Sequence, residues 1–409
     1  MIGNVIVGQS GGPTSVINSS LAGVFKTAKD RGSAKVYGML NGIKGLLNEQ
    51  YIDLSDHIKS TLDIELLKRT PSSFLGSCRY KLPEIADDRD VYEKIFAILN
   101  KLEIDAFFYI GGNDSMDTIK KLSDFAILTS SKIKFIGVPK TIDNDLNLTD
   151  HTPGYGSAAK YIASSTKEII RDGLVYDTQC VTVIEVMGRN AGWLTAATAL
   201  AKGDDCEGVD LIYLPEIAFD VDKFMTKIKE LLNVKKSIVV AVSEGIKVAD
   251  GRYVFELADH IEFVDAFGHK QLQGTANFLA NRISKEIGCK TRSIEFSTMQ
   301  RCCGHLTSRT DITEAYQVGG AAVKVASEGE TGKVIVLDRI SDDPYVCVTG
   351  AKDVHKIANI EKKVPLEWII NDGTNVSQDF INYATPLIQA ELTPIMVNGL
   401  PKHITLNKK

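Results

Sequence analysis

The stretch that decides the fold is Phe135-Ile136-Gly137-Val138-Pro139-Lys140-Thr141-Ile142-Asp143-Asn144-Asp145. Its first four residues form an apolar run that reads as a buried strand. The polar residues begin where the strand ends, and in an open α/β sheet ligands bind at that end. Two carboxylates, an ammonium and a hydroxyl follow within a few positions. In extended backbone the alternating Asp143 and Asp145 share a face. One of them suits a base, the other a metal or a neighbouring group.

Working outward, Phe107-Phe108-Tyr109-Ile110 is a second apolar run, and it opens into Gly111-Gly112-Asn113-Asp114-Ser115 before a helical pattern from Met116. Strand, glycine pair and helix start together present backbone N–H groups to an anion. A carboxylate at Asp114 repels a phosphate unless it serves to exclude something. Its structural reading is an N-cap, for which Asp is a preferred residue. Further out, the strand 4–7 opens into Gly8-Gln9-Ser10-Gly11-Gly12, and the spacing fits neither a dinucleotide fingerprint nor a P-loop. Arg79 is one cation in a loop candidate. Beyond residue 155, strands at 181–186, 211–214, 237–242 and 292–296 alternate with helices, including one at 271–287. Two of them end in Met187-Gly188-Arg189 and in Ser243-Glu244-Gly245. Repeated strand–helix alternation predicts parallel, doubly wound sheets. A second α/β unit begins near 155, and the region after Thr331 has no clear assignment.

The chain has 409 residues, enough for two or three domains. A net charge of −5 lacks the basic footprint of a nucleic-acid binder. Seven cysteines, among them Cys78, Cys180, Cys206, Cys289, Cys302 and Cys303, include no C-x-x-C pair. That argues against a disulfide framework or structural zinc and fits a reducing cytoplasm. No apolar run reaches the ~18 residues of a membrane helix. His151, His260, His269 and His305 show no metal-ligand spacing and read as satisfied or solvent-facing. Glu361-Lys362-Lys363 reads as solvated surface.

Taken together, Gly11-Gly12, 111–115, 139–145, Met187-Gly188-Arg189 and Gln300-Arg301 resemble the phosphofructokinase family, in the family's order and over about three quarters of the chain. The resemblance implies an α/β chain with two Rossmann-like parallel-sheet domains and an active-site cleft between them. A donor domain would span 1–154 and be rejoined by about 302–350. A sugar-phosphate domain would span 155–301, with 351–409 a C-terminal extension. It further implies Mg²⁺-dependent phosphoryl transfer to the 1-hydroxyl of fructose 6-phosphate in the cytoplasm, by a homodimer or homotetramer with no nucleic-acid or membrane partner. Asp143 would be the base, with Thr141, Ile142 and Asp145 beside it. Met187, Gly188, Arg189, Glu244 and Arg301 would hold the sugar phosphate, and Arg292 would reach that of a neighbouring subunit. Gly11 and Arg79 would contact the donor.

ATP-using members resemble G-G-D-G-S and P-G-T-I-D-N-D, with glycine where this chain has Asp114 and Lys140. The double change resembles the pyrophosphate-dependent branch. Two like charges 4 Å apart repel by ~4 kcal/mol at an effective dielectric of about 20, so Asp114 would disfavour the α-phosphate of ATP. Lys140 would stabilise charge on the transferred group. Three positions depart from the family pattern. Cys180 and Thr298 stand where many members carry a substrate arginine and a histidine, which leaves sedoheptulose 7-phosphate as an alternative acceptor. Asn113 replaces a metal-associated aspartate, which leaves Mg²⁺ held more by pyrophosphate. ATP as donor, a non-catalytic sugar-phosphate-binding subunit and a nucleotide-binding dehydrogenase are the competing readings. Asp114 and Lys140 oppose the first, an intact Asp143, Lys140 and Arg189 the second, and the missing fingerprint the third.

Overall fold

The computed structural model describes residues 1–257 and 274–406. His260, His269 and the start of the helix expected from Gln271 lie outside the described residues. The chain divides into two compact units. One comprises Met1–Ser157, Arg301–Glu361 and Gln389–Lys409, the other Ala158–Gln300 and Lys362–Ile388. The stretch after Thr331 is thus shared between the units.

The first unit is built on a seven-stranded sheet. In chain order its strands are β1 (Asn4–Gln9), β2 (Val36–Met39), β3 (Tyr51–Asp53), β4 (Ile104–Gly111) and β5 (Lys134–Pro139). The second unit's β6 (Cys180–Val186), β7 (Leu211–Tyr213), β8 (Ser237–Ser243) and β9 (Lys290–Glu295) follow. The chain then returns with β10 (Lys333–Asp342) and β11 (Tyr345–Asp353). The spatial order in the first sheet is β11-β10-β5-β4-β1-β2-β3. Its centre is parallel, while β3 and β11 pair antiparallel at the edges.

Side-chain alternation explains why the central strands read as unbroken apolar runs. Ala106, Phe108 and Ile110 of β4 enter one core, with the helices Ile17–Asp30 and Arg309–Ser327. Phe107 and Tyr109 enter the other, with the helices Arg89–Lys101 and Asn113–Leu128. A strand covered on both faces has no polar side to show. Ile17–Asp30 and Arg309–Ser327 approach closely through glycines. A Cβ on Gly319 would lie 2.1 Å from the Ser20 carbonyl oxygen, so any larger residue would force the helices apart.

From β1 the chain runs to β2 on one side and reaches β4 on the other, so a topological switch point lies between β1 and β4. Gln9 is level with Ile110, and Gly111 with Pro139. The carboxyl ends of β1, β4 and β5 therefore lie side by side, where an open sheet binds ligands.

The second unit carries a four-stranded parallel sheet in the order β7-β8-β6-β9. The helices Val221–Leu232 and Thr275–Ile287 cover one face, burying Phe224, Ile228, Leu279 and Ile283 against Val183 and Val240. Val186 is level with Ser243, so the segments after β6 and β8 leave from neighbouring positions. Among the described residues no helix is long and apolar enough to cross a membrane.

Candidate active site

Three turns of the first unit meet at the switch point. In the turn after β1, Gly11 adopts φ 74°, which glycine adopts without strain. Its N–H donates to the Cys78 carbonyl at 3.3 Å, and Ser77 Oγ donates to the Gly11 carbonyl at 2.6 Å. The loop bearing Arg79 is thereby laced to the first turn. Lys140 Nζ donates to the Gly12 carbonyl at 2.6 Å. The Arg301 guanidinium lies close by, with Nη1 3.1 Å from where a Gly12 Cβ would stand. Arg301, which the resemblance assigns to the sugar phosphate, thus lies beside the glycine turn within its own unit.

Burial pushes the Lys140 ammonium down to about 8, while Asp143 and Asp145 pull against that shift and Arg301 and Arg79 add to it. Lys140 is 3% exposed. The turn thus holds a buried cation among two carboxylates and two guanidinium groups. A concentration of donors and positive charge at glycine N–H groups is suited to a compact polyanion.

In the turn after β4, Gly112 precedes the helix Asn113–Leu128 and no side chain caps it. Asp114 is therefore not the N-cap that its type suggested. It lies inside the first turn and is exposed, free to meet a ligand at the helix start.

In the turn after β5, Asn144 has φ 55°. The backbone reverses there instead of extending, so Asp143 and Asp145 do not share a strand face as alternation implied. The Asp143 N–H donates to Thr141 Oγ1 at 3.1 Å. Asn113 Nδ2 donates to Asp145 Oδ2 at 3.0 Å, which joins the second and third turns. Asn113 Oδ1 and Asp145 Oδ1 are both buried and without a hydrogen-bond partner. Burial raises the Asp145 carboxyl to about 7, with Asp143 and Glu361 adding to the rise and Asn113 opposing it. Two unpaired buried oxygens beside clustered carboxylates fit a hard divalent cation.

The second unit gathers its own set. The Gly188 N–H donates to Glu244 Oε1 and the Met187 N–H to Gln300 Oε1, each at 3.3 Å. The Glu244 N–H donates to the Val186 carbonyl at 2.9 Å. Arg189 follows Gly188 directly, so Met187, Gly188, Arg189 and Glu244 come together. Arg292 does not join them. It sits mid-strand in β9, level with Thr182, and pairs with Asp172 at 3.2 Å. It lines a cavity of about 470 Å³ with Tyr161, Glu168 and Met299. Cys180 is buried at the opposite end of β6 from Met187, and Thr298 is exposed.

Several contributors escaped the sequence reading. Asn144 was only the spacer between two aspartates, although Asn is a residue type enriched at positive φ. Glu361 bridges to Leu146, and its charge acts on Asp145. Lys362 is anchored as well, its carbonyl accepting from Trp193 Nε1 at 3.0 Å. Glu361 and Lys363 are nonetheless exposed, as the charged stretch implied, with only Lys362 partly buried.

The chain as a whole has counterparts among known proteins. Residues 4–326 match the family model described as Phosphofructokinase. A Xanthomonas campestris protein named pyrophosphate–fructose 6-phosphate 1-phosphotransferase is 42% identical, covering 99% of this chain and 96% of its own. The crystal structure of a pyrophosphate-dependent phosphofructokinase from Marinobacter aquaeolei aligns with a TM-score of 0.88 at 37% identity, covering 100% of this chain and 97% of that one. Its counterpart from Nitrosospira multiformis aligns at 0.89 and 36% identity, covering 99% and 97%. Two units whose sheets are parallel at their centres, chemistry gathered at their strand ends and likeness over the whole chain lead to one conclusion: this chain belongs to the phosphofructokinase family.

Proposed function

We propose that the protein transfers a phosphoryl group from pyrophosphate to the 1-hydroxyl of fructose 6-phosphate, reversibly, yielding fructose 1,6-bisphosphate and phosphate. The observation that carries the donor assignment is the buried Lys140 ammonium bonded to the Gly12 carbonyl, with Asp114 exposed in the neighbouring helix turn. Relatives of about the same length bear the name of this activity.

The glycine turns at Gly11–Gly12 and 111–115 receive the donor, with Arg79 adding charge, and Arg301 beside Gly12 serves the sugar phosphate. Asp114 stands against the additional phosphate of a nucleotide. The sugar phosphate is held by Arg189 in the segment Met187-Gly188-Arg189, while Glu244 is fixed on the Gly188 N–H. Asp143 accepts the proton of the attacking hydroxyl. Lys140 stabilises the charge that develops on the transferred group and the departing phosphate. Thr141 holds the Asp143 N–H and so orients the base.

Mg²⁺ fits this site through Asn113 Oδ1 and Asp145 Oδ1, the two buried oxygens left unpaired. When bound it supplies charge neutralisation across the phosphates. Arg292, at the edge strand β9 and away from the Met187–Glu244 group, completes the sugar-phosphate site of a neighbouring copy, so the working form is at least a homodimer.

The test is a donor exchange. Asp114→Gly with Lys140→Gly should abolish turnover with pyrophosphate. Unchanged pyrophosphate kinetics in that double variant would remove the donor assignment.

A further inference from the structure

The 141–145 turn is braced by a polar array buried behind it. Two acidic residues one helical turn apart on Arg309–Ser327 begin it. Asp311 accepts the N–H groups of Gly154 at 2.8 Å and Ser157 at 2.9 Å. Glu314 Oε2 meets His151 Nε2 at 2.7 Å, and Glu314 Oε1 accepts the Tyr345 hydroxyl at 2.6 Å. The other ring nitrogen of His151 meets Asp150 Oδ1 at 2.7 Å, and Arg339 donates to that oxygen through Nε at 3.1 Å and Nη2 at 2.8 Å. Helix, hairpin β10–β11 and the 150–157 segment are thereby tied into one array.

That segment in turn holds the chemistry-bearing turn. Thr152 Oγ1 donates to the Thr141 carbonyl at 2.8 Å, and the Thr152 N–H donates to Asn144 Oδ1 at 3.0 Å. The Thr141 N–H donates to the Pro153 carbonyl at 3.2 Å. Asn144 and Thr152 are wholly buried and His151 is 1% exposed. The positive φ of Asn144, which sets the directions of Asp143 and Asp145, is therefore locked by its own side chain onto Thr152, one residue from His151.

We propose that His151, clamped between Asp150 and Glu314 and acting through Thr152 and Asn144, is a positioning residue that fixes the Asp143–Asp145 turn for phosphoryl transfer. The proposal rests on the reaction assigned above. Arg339 and a protonated His151 face Asp150 and Glu314; Arg339 also pairs with Asp342 at 3.0 Å, and burial raises the Asp311 carboxyl to about 6. Burial works against the charged ring, but Glu314 and Asp150 outweigh it and raise His151 to about 9. Cys347 also stands within 4.8 Å of His151 and Glu314, a grouping able to hold a metal. Both His151 ring nitrogens are already taken up by carboxylate oxygens, Asp150 on one side and Glu314 on the other, and a ring that donates from both has no lone pair to give a metal.

Because a buried charge array is costly to break, two variants are needed. His151→Gln cuts the clamp. Thr152→Val leaves the clamp and cuts its link to Thr141. Parent and variants are first compared by thermal melting, then by steady-state kinetics with pyrophosphate, Mg²⁺ and fructose 6-phosphate. A misplacement of the base costs about ten- to a hundredfold in turnover. Both variants should lose kcat on that scale, with the fall in kcat larger than any change in KM for pyrophosphate, since the glycine turns are untouched. Two folded variants with parental kcat would overturn the proposal, as would stoichiometric zinc in the parent that His151→Gln abolishes. A parent that is itself inactive with pyrophosphate would instead refute the assigned reaction.

Discussion

Lys140→Met replaces the buried ammonium with an apolar side chain of similar length. At pH 7 an amine titrating at about 8 is charged in roughly ten molecules of every eleven. A unit charge about 4 Å from a phosphoryl oxygen contributes ~4 kcal/mol at an effective dielectric of about 20. Its loss should lower kcat/KM for pyrophosphate by about a thousandfold. The same shift predicts a signature in the parent: kcat/KM falls on the alkaline side through about pH 8, and the variant lacks that limb. Stability separates this effect from misfolding. The folded pKa lies below the ordinary 10.5, so the unfolded state binds more protons between about 8 and 10.5, and stability rises with pH across that window. Below about pH 8 the charged lysine costs the folded state about 3 kcal/mol, from a depression of about 2.5 pKa units. Lys140→Met should therefore melt no lower than the parent at pH 7 while losing activity. Pyrophosphate pH–rate profiles and melting curves on the same preparations check both halves. An unchanged alkaline limb in the variant would refute the role given to Lys140.

Further outcomes follow from the same geometry. Asp143→Ala should lower turnover by roughly two orders of magnitude, the usual scale for a general base, and a near-normal rate would place the base elsewhere. Asn113→Leu should weaken activation by Mg²⁺, read as a raised half-saturating Mg²⁺ concentration with kcat recovered at excess metal. His151 titrates above its ordinary 6.5, so the stability it gives is full below pH 6.5 and is lost as pH rises through about 9. The stability gap between the parent and His151→Gln, on the order of 3 kcal/mol at its largest, should shrink over that window, as denaturant titrations at several pH values would record.

The central strands were legible because both of their faces are buried, which makes sequences such as Phe107-Phe108-Tyr109-Ile110 continuously apolar. The edges lack that signal. β3 is three half-buried residues, and β11 is largely exposed along its length, so neither stands out from loop sequence. The helix Thr61–Arg69 did carry a sign, a capping box formed by Ser60 and Asp63, in which aspartate takes the place of the usual Glu or Gln. The site was legible for a related reason, since polar residues that follow an apolar run must sit at a strand end. What single positions could not give was backbone direction. Asn144 reverses the chain between two aspartates, and Asp114 lies inside its helix and not ahead of it. His151 reads as satisfied in sequence and is so, yet its partners lie 163 positions away at Glu314 and next door at Asp150.

The most direct test of the account is turnover of the unaltered protein with fructose 6-phosphate and Mg²⁺, pyrophosphate and ATP being supplied in separate assays. Fructose 1,6-bisphosphate formed with pyrophosphate and not with ATP is the predicted result. Formation with ATP alone would contradict it, and would mean that neither Asp114 nor Lys140 sets the donor.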